Sequence, residues 1–338
     1  MRRLSLGLII LILLQFAFGG QRSPQGNGNV TFWEDEDKEK NKPRTLSDIK
    51  SVISKLLATV QKGEEPAYEK IPSNTGKIIA GKMRKASLEA ALAQLKIYRY
   101  LAGLPYKDIE LNGEFSNGAQ HAVVLMSILG RISHNPSKPA DVPDDFFKIA
   151  FKGAASSNLA GGGESNLTTA INNWMSDSDK TNIDRLGHRR WLLNPSMKDV
   201  GFGFYNGFAA GWVVGGSRDS SPDYDFIAFP VPGFHPWTYF GTKWAWSVSI
   251  NPKKYQKPEK GKVKVMVFPE KDGKKIDAPL RLDYENVSHD ALGTPHCIIF
   301  RPILPASASS STFIVEITGV KSSDGENKTI SYSVKFVE

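Results

Sequence analysis

A chain of 338 residues has material for two domains and a sizeable core. Its 40% hydrophobic and 23% charged content is that of an ordinary globular protein, which excludes a fibrous or wholly disordered chain. The formal charge of +8 is spread along the chain with no basic stripe interleaved with aromatics, which argues against nucleic acid as a partner and leaves an acidic surface open.

Met1, Arg2 and Arg3 make a positive start, residues 4–18 are a nearly unbroken apolar run, and Ala17 and Gly19 place small residues where a signal peptidase cuts. The expectation is a signal peptide over 1–20 and a secreted protein, extracellular or held in the cell envelope. The run is shorter than the roughly 20 residues of a membrane span, so no transmembrane span is expected once the signal is cleaved. A retained signal anchor is the alternative. Cys297 is the only cysteine, so no intramolecular disulfide forms and no cysteine follows the leader to carry a lipid. It lies in the apolar run 296–300 and reads as a buried small hydrophobe rather than a nucleophile. An exported chain of this size without disulfides suits a bacterial protein better than a small secreted scaffold.

Residues 21–44 are polar, with a charge run at 34–40, and read as a disordered linker. Thr45 and Asp48 predict the cap of a short helix to Leu57, with Ile49, Val52, Ile53 and Leu56 on one face. The stretch 21–84 is thus a polar linker carrying one helix. Leu88, Leu92, Leu95, Tyr98 and Leu101 then recur at helical steps, and Gly103 stops the run. A second helix over 117–130 turns Ala119, Val123, Met126 and Leu129 inward. Its His121 has apolar neighbours and reads as a core or helix-surface residue. His134 follows in a loop closed by Pro136 and Pro139, ahead of a helical stretch over 144–150. The glycines at 161–163 lead into Glu164, and Ser165 or Asn166 caps a helix reaching Trp174. Another short helix is expected over 183–193. Beyond Pro195 the period becomes two, and 200–204 with 208–214 read as a glycine-rich hairpin. From Trp244 the chain is strand-like, with runs at 244–250, 262–268, 278–282, 297–301, 312–317 and 330–336. The fold class expected is α+β, with a helical and sheet unit over 85–238 and an all-β immunoglobulin-like sandwich over 239–338.

Chemistry concentrates between residues 134 and 190. His134, Glu164, Asp177 and His188 bring two imidazoles and two carboxylates from adjacent elements. Imidazoles bind zinc at about 2.0 Å, and carboxylates orient them or hold a water. A His/Glu pair also serves acid–base work near neutral pH. No HExxH, CxxC or GxSxG signature accompanies them, and the triglycine lacks the Gly-Lys-Ser/Thr of a phosphate loop. Plainer roles stand beside these. Glu164 can cap a helix start, and His188 and Arg189 can pair with Asp177, Asp179 or Asp184. Arg189 and Arg190 can favour an acidic ligand, or one can pack beneath Trp191.

The ordered pieces over about 85–216 resemble a known family. They are the Leu-rich helix ending in Gly103-Leu104-Pro105, Ala119-Gln120, Ser133-His134, Gly163-Glu164, Trp174 with Asp177, Gly187-His188, and Val200-Gly201-Phe202-Gly203. Together they resemble the CAP superfamily, also called SCP-like, of cysteine-rich secretory, antigen 5 and pathogenesis-related proteins. The run from Gly187 to Pro195 looks like its bacterial branch. The resemblance implies an α-β-α sandwich whose central cleft is lined by His134, Glu164, Asp177 and His188. It also implies a divalent metal such as zinc, where one binds, on His134 and His188. Asp177 departs from the family's usual glutamate by one methylene, and the family's disulfides are absent.

The function expected is a non-enzymatic binding protein for a small apolar, lipid or glycan ligand, or for a cell-envelope surface. One alternative is a hydrolase of peptide or cell-wall bonds in which a metal, or Glu164 and His188, activates water. Another is an adhesion or envelope protein with a vestigial cleft.

Overall fold

The computed structural model describes residues 44–63 and 67–338; the leader and charged linker fall outside these residues. Helix α1 (Leu46–Gln61) opens on a reciprocal cap: Asp48 N–H donates to Thr45 Oγ1 at 3.2 Å, and Thr45 N–H donates to Asp48 Oδ2 at 2.9 Å. It runs a turn beyond Leu57, with Ile49, Ile53 and Val60 buried against the next helix. A ribbon of β1 (Tyr68–Lys70) and β2 (Lys82–Met83) precedes α2 (Lys85–Leu101), and Gly103 follows α2 at φ 68°. The second half of α2 is buried all round because α1, α5 (Leu167–Ser176) and the aromatic core of the C-terminal unit pack on its different sides.

After β3 (Glu110–Leu111), α3 (Gly113–Leu129) starts earlier than expected. Asn112 caps it, its Oδ1 accepting from Glu114 N at 2.9 Å and Phe115 N at 3.1 Å. Next come α4 (Asp144–Ala155), β4 (Ser157–Ala160), α5, α6 (Gly187–Leu192), β5 (Asp199–Tyr205) and β6 (Phe208–Trp212). Helix α6 is shorter than expected, because residues 180–185 are turns.

The sheet order is β3-β5-β6-β4, with β3 parallel to β5 and the other pairs antiparallel. Gly201 and Gly203 face α3 while Val200 and Phe202 face the opposite core. A Cβ on Gly203 would lie 2.4 Å from the Ala119 carbonyl carbon, so only glycine lets strand and helix approach this closely. On β6, Ala210 and Trp212 join Ala119, Val123 and Met126 of α3, while Ala209 faces the cluster of Ile171 and Trp174. The result is an α-β-α sandwich, as expected.

The C-terminal unit is a two-sheet β-sandwich. Its strands are β7 (Phe226–Phe229), β8 (Gly233–Pro236), β9 (Trp246–Ile250), β10 (Lys264–Lys271), β11 (Lys274–Lys275), β12 (Leu282–Ser288), β13 (Cys297–Pro302), β14 (Thr312–Lys321) and β15 (Asn327–Val337). One sheet runs β11-β10-β14-β15-β8 and the other β12-β13-β9-β7. Two differences from the sequence reading stand out. The strand expected at 278–282 is instead β12, shifted to Leu282–Ser288. The sandwich also draws in β7 and β8 from before Trp244, with β8 parallel to β15. Between the sheets Trp246, Phe300, Phe313 and Phe336 meet at 5.9–6.1 Å, each such burial contributing about 1.5–3 kcal/mol. Cys297 is buried in β13, and burial pushes its thiol pKa up, consistent with a packing role.

Candidate functional site

Three of the four candidate residues, Glu164, Asp177 and His188, gather at the C-terminal end of α5. Asp177 is the C-cap of that helix, in the left-handed region at φ 44°. This conformation turns its carboxylate back onto α6. His188 Nδ1–H donates to Asp177 Oδ1 at 2.7 Å, and Asp177 Oδ2 accepts the backbone N–H groups of His188 at 2.9 Å and Arg189 at 3.4 Å. The Asp177 side chain is 1% exposed and that of His188 20%, so the carboxylate is inside and the ring at the surface. The shorter aspartate therefore reaches its partner.

Glu164 enters from the glycine loop, which Glu164 N–H ties to Gly207 O at 3.1 Å. Asn173 of α5 donates to both Glu164 oxygens, at 3.0 and 3.1 Å. Asn173 O in turn accepts the Asp177 N–H at 2.9 Å, so one helical turn carries the links to both acids. Asn166, rather than Glu164, caps α5 by accepting from Thr169 N at 2.9 Å.

His134 is exposed, and its Nδ1–H donates to Ala154 O at 3.1 Å. His188 is tied to β4, since Asn158 Nδ2 donates to His188 O at 3.0 Å. The structure thus joins Glu164, Asp177 and His188 through α5, and hangs both histidines from the segment 154–158. Among the described residues His134 makes no hydrogen bond or ion pair with the other three.

In both rings Nδ1 is engaged, which leaves Nε2 as the atom open to a ligand. A carboxylate behind one imidazole suits a zinc-type ion. The donor set is nonetheless short of the three protein ligands of a catalytic zinc, because no group of three His, Cys, Asp or Glu side chains fit to hold a metal occurs among the described residues. No Ser, Thr or Cys side chain bonds to either imidazole among the described residues, so the set lacks an activated nucleophile. His121 donates to Asn117 O at 2.8 Å and packs on Phe146, as a helix-surface histidine would.

Arg189 and Arg190 do not face a ligand. Both are buried, and burial pushes Arg189 down to about 10 against the opposing charge of Asp177. Arg189 donates to Met175 O, Ser176 O, Ala245 O and Ser247 Oγ at 2.6–3.1 Å. Arg190 donates to Arg185 O, Ser288 Oγ, Asp290 O and Thr294 O. These contacts fasten α6 to the sandwich, and the sequence reading missed them. A separate cavity of about 680 Å³, lined by Lys70, Met83, Leu88, Asn112, Ser116 and Phe202 among others, includes none of the four candidate residues.

No helix among the described residues is long and apolar enough to cross a membrane. No curated protein and no solved structure matches the chain. Residues 92–214 match the model of the cysteine-rich secretory protein family, CAP. That stretch contains all four candidate residues and every strand of the β3-β5-β6-β4 sheet. The chain therefore carries a CAP domain over residues 92–214, followed by a β-sandwich.

Proposed function

We propose that this is an exported, non-enzymatic binding protein whose ligand sits over the Asp177–His188 pair, with Glu164 and His134 at the cleft's edge. The observation that carries the reading is the 2.7 Å Nδ1–H bond from His188 to a buried carboxylate, which fixes the ring and presents Nε2 as an acceptor. A fixed acceptor without an adjoining nucleophile suits recognition of a hydroxyl-bearing ligand, whether glycan or sterol-like. A divalent cation is a further ligand this pair of imidazoles would accept. The apolar leader over residues 1–20 supports export to the cell envelope or beyond.

A second reading rests on the same pair. A carboxylate-oriented imidazole is also the arrangement of a general base. Water would then be the nucleophile, with Glu164 as a second proton-handling group, and the reaction a hydrolysis of peptide or cell-wall bonds.

The test is calorimetric titration of the full chain with zinc chloride, with dodecanol and with the N-acetylglucosamine tetramer, beside the His134→Ala/His188→Ala variant. Binding of one probe that weakens by about tenfold or more in the double variant, a change of about 1.4 kcal/mol or more, supports the binding reading. Binding that survives in the double variant assigns the probe to the Lys70–Phe202 cavity instead. Peptide or glycan turnover abolished by Glu164→Gln, with the fold intact, would replace binding by hydrolysis. No binding by any probe would shift the weight to envelope attachment.

A further inference from the structure

We infer that the β-sandwich is a working part of the cleft, and that Arg189 is the positioning residue that couples it to the Asp177–His188 pair. Helix α5 ends at Ser176, and its last carbonyls have no intrahelical partners. Arg189 supplies them, its Nε donating to Met175 O at 2.7 Å and its Nη2 to Ser176 O at 2.8 Å. The remaining guanidinium nitrogen, Nη1, crosses to the sandwich, donating to Ala245 O at 2.6 Å and Ser247 Oγ at 3.1 Å.

The return contact comes from the sandwich, where Ala245 N–H donates to Ser178 Oγ at 2.8 Å. Asp177 is therefore bracketed, with Ser176 and Ser178 on either side both tied to the same guanidinium or the same strand approach. Ser247 belongs to β9, an inner strand paired with β13 and β7, so the anchor is rigid. Phe229 of β7 lies under the guanidinium at 5.2 Å.

Charge gives the arrangement its direction. The buried carboxylate of Asp177 lies between a surface imidazole and a buried guanidinium, and His188 and Arg189 are consecutive residues of a six-residue helix. Consecutive helical residues face different ways. One turn of α6 therefore presents His188 outward while Arg189 reads the sandwich inward. If the sandwich shifts, the carbonyls holding Arg189 shift with it, and Asp177 loses the frame that fixes the His188 ring.

The geometric claim does not depend on what the cleft binds; its importance for ligand binding rests on the reading proposed above. The experiment follows the His188 side-chain nitrogens by NMR in the full chain, without ligand, in the wild type and in Arg189→Lys and Ser247→Ala. The expected wild-type signature is a single tautomer with its Nδ1 proton slowly exchanging. In Arg189→Lys, whose one ammonium cannot span four acceptors, that proton exchanges fast and both tautomers are populated. Ser247→Ala, which removes a single contact on the sandwich side and leaves the CAP domain untouched, shifts the signature part of the way. An unchanged His188 signature in Ser247→Ala together with one in a folded Arg189→Lys overturns the proposal. If Arg189→Lys does not fold, Ser247→Ala alone decides. Titration of the same variants with zinc chloride reads one functional arm separately: an altered signature with unaltered zinc affinity keeps the coupling and removes only the role of His188 in holding a cation.

Discussion

His188 and Arg189 are chain neighbours whose side chains bond different parts of the molecule, the first Asp177 Oδ1 at 2.7 Å and the second Ala245 O at 2.6 Å. Among the described residues, the buried Asp177 carboxylate is the acidic group that accepts hydrogen bonds from both, from the His188 ring and backbone and from the Arg189 backbone. Asp177→Asn should therefore do two things. It removes the negative charge that strengthens the hydrogen bond from His188 and those from two backbone N–H groups, at a cost of about 1–3 kcal/mol in urea unfolding. It also allows the amide to donate toward His188, so the ring gives up its single tautomer. A destabilisation under about 1 kcal/mol would show that these hydrogen bonds do not need the charge.

His235 predicts acid sensitivity. It is buried among Phe229, Phe240 and Phe336, accepts from Val231 N at Nδ1, and donates from Nε2 to Tyr239 O, which requires the neutral ring. Burial pushes its pKa down to about 3, below the ordinary 6.5. The unfolded chain therefore binds a proton that the folded one refuses between these values. The contribution is fully present above about pH 6.5 and is lost as pH falls toward 3, with a slope of about 1.4 kcal/mol per pH unit. His235→Gln should flatten that limb of the urea-midpoint profile relative to the wild type. Parallel profiles would refute the assignment.

Glycine contacts separate two substitutions that look alike in sequence. Gly203→Ala drives a methyl to 2.4 Å from the Ala119 carbonyl carbon, backbone that cannot yield, and should cost about 3 kcal/mol or more. Gly113→Ala meets nothing within 4 Å in the first turn of α3, and should be neutral or stabilising by about 0.4–1 kcal/mol. Thermal melts of the two variants check both signs.

A fragment beginning at Trp244 should not fold. It lacks β7, which pairs with β9, and β8, which pairs with β15, and it removes His235 from the aromatic core. Circular dichroism and proton NMR of residues 244–338 should show an unfolded chain, so an attachment assay on that fragment would report nothing about the sandwich. A dispersed, cooperative spectrum would refute this.

The helices were legible because their faces repeat. Leu95, Tyr98 and Leu101, and Ala119, Val123 and Met126, are buried where the spacing placed them. The pairing of His188 with Asp177 was one of several partners the sequence left open. The short β4 was not legible, since four residues are too few to show alternation. Nor was the role of Arg189 and Arg190, whose acceptors lie up to 58 and 104 residues away and are mostly carbonyls that every residue carries. The membership of β7 and β8 in the sandwich was hidden for a related reason. Their partners are fixed by the path of the chain, not by their own composition.

The parallel pairing of β8 with β15 sets an order of assembly. Residues 233–236 are made almost a hundred residues before the strand at 327–337 that completes their sheet. Until that late strand arrives, β14 has an open edge and β8 has no partner strand. A nascent chain can thus form the β3-β5-β6-β4 sheet early, yet β8 and the aromatic core around Phe336 wait until nearly the whole protein has been synthesised. Stalled or clipped products would carry residues 92–214 in full and still lack a closed sandwich.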